Sequence, residues 1–109
     1  MAFKYIVLRT ANREIPFIFP DRFIHAFVAE AVKIMLVEEA NIVANGLLST
    51  EALVRLKSEI KVVSAGGITL GAHIHCGGES ETLKMKSRGT PDAALISLYP
   101  YFHGMMEEE

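Results

Sequence analysis

The chain has 109 residues, half of them hydrophobic and 22% charged, a balance that fits one domain able to bury roughly two thirds of its unfolded surface without metal or disulfide support. The net charge of −2 is spread evenly, with seven Lys/Arg against seven Asp/Glu in residues 1–59 and four against three in residues 60–106, so no basic face for duplex nucleic acid is expected. The start, MAFKYIVLRTANRE, reads as neither signal peptide nor membrane span, and Glu30 and Lys33 interrupt the longest apolar region, which argues against a membrane partner.

FKYIVLRT (3–10) and REIPFIF (13–19) read as two strands joined at Ala11-Asn12 in a hairpin, with Pro16 marking the second as an edge or irregular strand. Residues 20–46 read as a long helix, with Asp21 as N-cap and Asn45-Gly46 as the stop. Its apolar positions, among them Phe23, Ile24, Phe27, Ile34, Met35 and Ile42, cover more than the stripe of about 100° that a surface helix needs. The extra width predicts two contacts, one to a sheet and one to another molecule, and hence a homo-oligomer. STEALVRLKSEI (49–60) is a second, amphipathic helix capped by Ser49 or Thr50, with Leu53, Leu56 and Ile60 inward.

The second half reads as β structure: IKVVSAG (60–66), ITLGAHIHC (68–76) and TLKMKSR (82–88), separated by glycine turns. Alternation puts Ile74, Cys76, Leu83 and Met85 on one face and His73, His75, Lys84, Lys86 and Arg88 on the other. Register must keep polar opposite polar, which allows Cys76 opposite Glu81 around the loop GGES (77–80), or Cys76 opposite Leu83 around six residues. A last helix starts at Thr90 as N-cap, Pro91 at N1 and Asp92 in the first turn, and runs to Pro100. The fold class expected is α+β: an antiparallel sheet of about four to five strands with helices largely on one face. Residues 1–106 form the single domain and 107–109 an acidic tail.

Arg88, two residues before a helix N-terminus where unpaired N–H groups favour anions, is the strongest candidate for chemistry. A small anionic, nucleotide-like ligand would be gripped by Arg88, with Lys84 and Lys86 adding field, Ser80 and Thr90 donating hydrogen bonds, Glu79 or Asp92 reading hydroxyls, and His73 and His75 on the same face. The plain alternative is a solvated strand edge with a helix cap, in which Asp92 occupies the N-H groups or pairs with Arg88. HIHC invites a metal, but Cys76 lies on the opposite face from the two histidines, so no metal site or cofactor is assigned. No nucleophile elbow surrounds Ser64 and GGES lacks a phosphate-loop ending, so no catalytic residue is assigned and the reading is non-catalytic. The aromatic cluster YPYFHG (99–104) either stacks a base or docks on the core. Cys76, the one cysteine, fits a reducing compartment, and cytoplasm is the default location.

VVSAG followed by CGGESETLKMKSRGTPDAALI, and more faintly IPFIFPD, resembles small proteins of tailed bacteriophages and prophages. The matching positions are Ser64, Gly66, Gly78, Glu79, Ser80, Ser87, Arg88 and Asp92. The resemblance implies a setting, an accessory factor in the host cytoplasm that binds a defence signal or, alternatively, binds and inhibits a host protein.

Overall fold

Tyr5, Ile6, Val7 and Leu8 form an unbroken apolar run, and a strand of that composition is stable only with both faces covered. In the computed structural model, which describes residues 3–99, they lie in β1 (Phe3–Arg9) at the centre of the molecule, and all four are fully buried. β1 pairs antiparallel with β2 (Glu14–Pro20) on one side and with β3 (Lys61–Thr69) on the other, and β4 (His75–Gly77) completes the order β2-β1-β3-β4. A separate two-stranded ribbon follows, β5 (Glu79–Ser80) with β6 (Met85–Lys86). The fold is α+β, as expected.

The first hairpin is the one expected, closed by Thr10–Arg13 with the Thr10 N–H on the Arg13 carbonyl at 2.9 Å. Pro16 sits on the edge strand, where its missing N–H removes nothing from a ladder. β3 departs from expectation. A glycine turn is expected between strands 60–66 and 68–76; instead Gly66 and Gly67 lie inside β3, where they pair with Tyr5 and Lys4. A bulge at Val7/Leu8 leaves Val63 unpaired; Val62 packs toward one face of the sheet and Val63 toward the other.

α1 (His25–Val43) and α2 (Thr50–Glu59) cover one face of the sheet, packing Ala29, Val32, Val37 and Leu56 against Ile6, Leu8, Phe19 and Ala65. α3 (Thr90–Ser97) covers the opposite face, where Ile96 meets Tyr5, Val7 and Ile68. The helices are therefore divided two to one between the faces.

Asp21 does not cap α1. The Phe23 N–H closes a turn on the Pro20 carbonyl, which delays the helix to His25, and the N–H of Ala26 is satisfied by Thr82 Oγ1 from the β5–β6 turn. The stop at Asn45-Gly46 is as expected: both residues take positive φ, and their N–H groups reach back to Ile42 and Asn41 in a Schellman arrangement. Ser49 caps α2 by accepting from the Ala52 N–H. The aromatic cluster is described only at Tyr99, whose hydroxyl donates to the Glu14 carbonyl; Pro100 to Gly104 and the acidic tail lie outside the described residues.

Candidate functional site

The strand expected over 82–88 is mostly turn. Residues 81–84 reverse the chain, with the Leu83 N–H on Ser80 Oγ and Lys84 at φ 52°, and only Met85 and Lys86 pair, opposite Ser80 and Glu79. Cys76 pairs with Ile68 of β3, so neither expected register with 81–83 forms. Local alternation still describes burial correctly: Leu83 and Met85 pack into the core beneath α1 while Lys84 and Lys86 are exposed. What is lost is the shared face. His73 lies exposed in a bend, His75 on the β4 edge, and the two lysines on the other ribbon.

Arg88 is placed by α3 rather than by a strand. Gly89, not Thr90, is the N-cap, at φ 69°; Thr90 and Pro91 are exposed, and Asp92 is wholly buried. The Asp92 carboxylate turns back on the chain entering its own helix. Oδ2 accepts from the Arg88 backbone N–H at 2.9 Å and Oδ1 from Arg88 Nε at 2.7 Å. That return requires the positive φ that glycine adopts freely.

The other side of the Arg88 guanidinium meets Glu14 in a two-point contact, 2.8 Å to Oε1 and 3.2 Å to Oε2. Glu14 also receives Arg9, its cross-strand neighbour, at 2.6 Å. Arg88 thus has three of its five N–H groups on two carboxylates, and the cluster Arg9, Arg88, Glu14 and Asp92 is formally neutral. The hydrogen bonds from Arg88, then those from Arg9, hold the Glu14 carboxyl down to about 2. Of the two readings of Asp92, pairing with Arg88 is the one observed.

Beneath this pair the Tyr5 hydroxyl lies 2.5 Å from Asp92 Oδ2 and 2.6 Å from Ser87 Oγ. A phenol has one proton, and an ionised carboxylate only accepts, so Tyr5 donates to Asp92 and the Ser87 hydroxyl supplies the second bond. Ser87 Oγ in turn accepts the Gly89 N–H at 2.9 Å. Burial alone would raise the Asp92 carboxyl; the hydrogen bonds from Tyr5 and Arg88 outweigh it and hold the group below its ordinary value. Ser64, also fully buried, adds to that field, although no hydrogen bond of ordinary geometry reaches its hydroxyl. Sequence reasoning missed Tyr5 and Glu14. A tyrosine inside a fully buried run was the available signal, because a buried phenol needs a partner.

The expected ligand residues do not converge on one cavity. Glu79 lines a cavity of about 300 Å³ at the start of α1, together with Lys4, Ile24, His25, Glu81 and Thr82. His25 is buried there with Nε2 2.9 Å from the Gly66 carbonyl, which places a proton on Nε2, and burial lowers its pKa against the opposing pull of that bond. His75 instead lines a shallow depression at the β3–β4 edge. Ser80 is buried and committed to the β5–β6 turn through Leu83 and Thr82. Among the described residues, no three His, Cys, Asp or Glu side chains are placed to hold a metal ion, and no helix is long and apolar enough to cross a membrane.

The second candidate surface is the outer side of α1. His25, Ala29, Val32 and Val37 face the sheet, while Ile24, Phe27, Ala31, Ile34, Met35, Glu38 and Ile42 recur at three- and four-residue spacing on the exposed side. Phe27 is 78% exposed and Ile42 72%. Beside this stripe, Ile34, Val37, Leu53 and Val54 form a shallow groove between α1 and α2, with Glu38 and Lys57 at its rim. Lys57 is ion-paired with Glu30 across the two helices. The chain matches no protein-family model, and comparisons with curated proteins and with solved structures return no match.

Proposed function

We propose that this protein is a non-catalytic interaction factor that works through the outer face of α1. One observation carries the reading: five large apolar side chains, Ile24, Phe27, Ile34, Met35 and Ile42, lie in one stripe in solvent. Scattered apolar residues on a surface are ordinary, but large ones recurring along one side of a helix, with Glu38 set among them, mark a contact surface. Taken with the resemblance to small bacteriophage proteins, the reading is of an accessory factor in the host cytoplasm. Its test compares wild type with Phe27→Lys in lysate of the cells in which the protein acts. The variant should fold normally and lose whatever complex the wild type forms on a sizing column. Equal elution of the two, or a Phe27→Lys chain that unfolds, would remove the reading.

The second reading, a small anionic ligand, draws on Lys84 and Lys86, which are exposed and make no ion pair among the described residues, close in sequence to Arg88. A thermal-shift panel of cyclic and linear nucleotides tests it, since a ligand that binds only the folded state raises the melting temperature. The informative variant is Lys84→Glu with Lys86→Glu, because replacing Arg88 would strip the buried Asp92 of its partner. A shift abolished by that double change supports the ligand; no shift across the panel ends it.

A further inference from the structure

Apart from the outer face of α1, the chain encloses a cavity under its first hairpin turn, and we infer that this cavity takes a free α-amino acid with an aliphatic side chain. Three separate stretches build it: residues 10–15 at the β1–β2 turn, 36–40 in the second half of α1 and 56–60 at the end of α2. Its volume is about 270 Å³, just below the roughly 300–1,000 Å³ of cavities that hold drug-sized ligands, which fits an occupant of amino-acid size.

The lining divides into two chemistries. Ile15, Leu36, Val37, Ala40, Leu56 and Ile60 are all aliphatic, and Ile15, Val37 and Ile60 are buried. None of these side chains can hydrogen-bond, so this part accepts a hydrocarbon body. Arg13, Glu39 and Glu59 are the charged residues of the lining, one from each stretch, and all three are exposed. None of them makes an ion pair among the described residues, whereas Arg9 and Glu14, which flank the same turn, are paired with each other.

Those three charges specify the head group. Two carboxylates and one guanidinium leave the rim negative, and α2 ends at Glu59, where the helix dipole adds partial negative charge. An ammonium is attracted to Glu39 and Glu59. Arg13 offers a carboxylate its planar fork of N–H groups. The turn that presents it is held closed by the Thr10 N–H on the Arg13 carbonyl at 2.9 Å, with Thr10 Oγ1 on the same carbonyl at 3.3 Å. A simple amine would leave Arg13 unused, and a fatty acid would meet two carboxylates. An amino acid uses all three groups and fills the aliphatic part with its side chain.

The test titrates the purified full chain with leucine and follows it by two-dimensional NMR. Saturable shifts should centre on the methyl groups of Ile15, Leu36, Val37, Leu56 and Ile60. Glycine keeps both charges but has no side chain, and should bind about tenfold or more weakly, the worth of burying one aliphatic group. 3-Methylbutylamine lacks the carboxylate and 4-methylpentanoate the ammonium; each should bind about tenfold or more weakly than leucine, having lost a charge-assisted hydrogen bond. Arg13→Gln and Glu59→Gln change exposed side chains, should leave the fold intact and should weaken leucine by a similar factor. No saturable shift up to the solubility of leucine overturns the inference, as do shifts centred away from these methyl groups. 3-Methylbutylamine binding as well as leucine, with Arg13→Gln without effect, would reveal a site for cations and overturn the amino-acid assignment.

Discussion

Tyr5 on the central strand and Asp92 in the last helix are 87 residues apart in sequence, fully buried, and joined by a 2.5 Å hydrogen bond. The bond fixes α3 onto the sheet face opposite α1, and it does so with a charge. A buried carboxylate is tolerable only when its lone pairs are filled. Here Tyr5, the Arg88 backbone and the Arg88 side chain fill them. Arg88 is therefore the counter-charge of a structural pin, with Glu14 holding its far side.

Removing one member of such a set leaves buried donors or acceptors without that partner, which costs more than the net value of the bonds. Asp92→Ala should destabilise the protein by about 2–4 kcal/mol, because it takes the acceptor from both the Tyr5 hydroxyl and the Arg88 backbone N–H while Arg88 itself keeps Glu14. Tyr5→Phe keeps the ring and should cost about 1–3 kcal/mol, the penalty for one unsatisfied buried group. Urea denaturation of both variants checks the order. If Asp92→Ala proved the milder change, Asp92 would not be the centre of the network.

Acid should undo the same network from its other end. Glu14 has a folded-state value of about 2 against an ordinary 4.5, so its contribution is complete above about pH 4.5 and is lost as pH falls toward 2. The side chain is a quarter exposed, and solvent screening reduces the expected contribution to about 1–2 kcal/mol. Asp92, also held below its ordinary value, acts in the same direction. Stability measured from pH 7 to pH 3 should fall more steeply in wild type than in Glu14→Gln; parallel curves would show that Glu14 carries no linkage.

Cys76 should be a slow thiol. Burial, then the negative charge of Asp92, pushes its pKa up to about 11 from an ordinary 9. Two units correspond to about a hundredfold less thiolate at neutral pH, and the thiolate is the reactive form. Alkylation of the native protein should therefore run about a hundredfold slower than in denaturant. Equal rates would place Cys76 outside the packed face.

Local grammar made much of this fold legible. The first hairpin, the Ser49 cap and the Asn45-Gly46 stop each depend on a few adjacent residues, and each forms as read. Alternation gave the burial of Leu83, Met85, Lys84 and Lys86 but not their pairing, because burial follows parity whereas partners follow long-range packing. The candidate site was legible only in part. Asp92 pairing with Arg88 is a four-residue relation within reach of sequence, while Glu14 lies 74 residues from Arg88 and no local pattern names it. The glycines at 66–67 misled for a related reason: a turn and a close backbone approach both call for glycine.

That last distinction can be tested directly. A Cβ built on Gly66 would lie 2.4 Å from the Gly77 carbonyl oxygen and 3.1 Å from Ser87 Cβ, and the first of these is backbone with nowhere to move cheaply. Gly66 is not at positive φ, so the constraint is space rather than conformation. Gly66→Ala must push β4 and the Ser87 segment off β3, and overpacking of this kind costs about 1–3 kcal/mol. Gly71, in the bend before β4, has nothing within 4 Å of its Cβ position. Gly71→Ala should therefore change stability by no more than about 0.5 kcal/mol. Thermal or urea unfolding of the two single variants decides the matter: if Gly66→Ala were as mild as Gly71→Ala, the close passage of Gly77 over Gly66 would not be what requires glycine there.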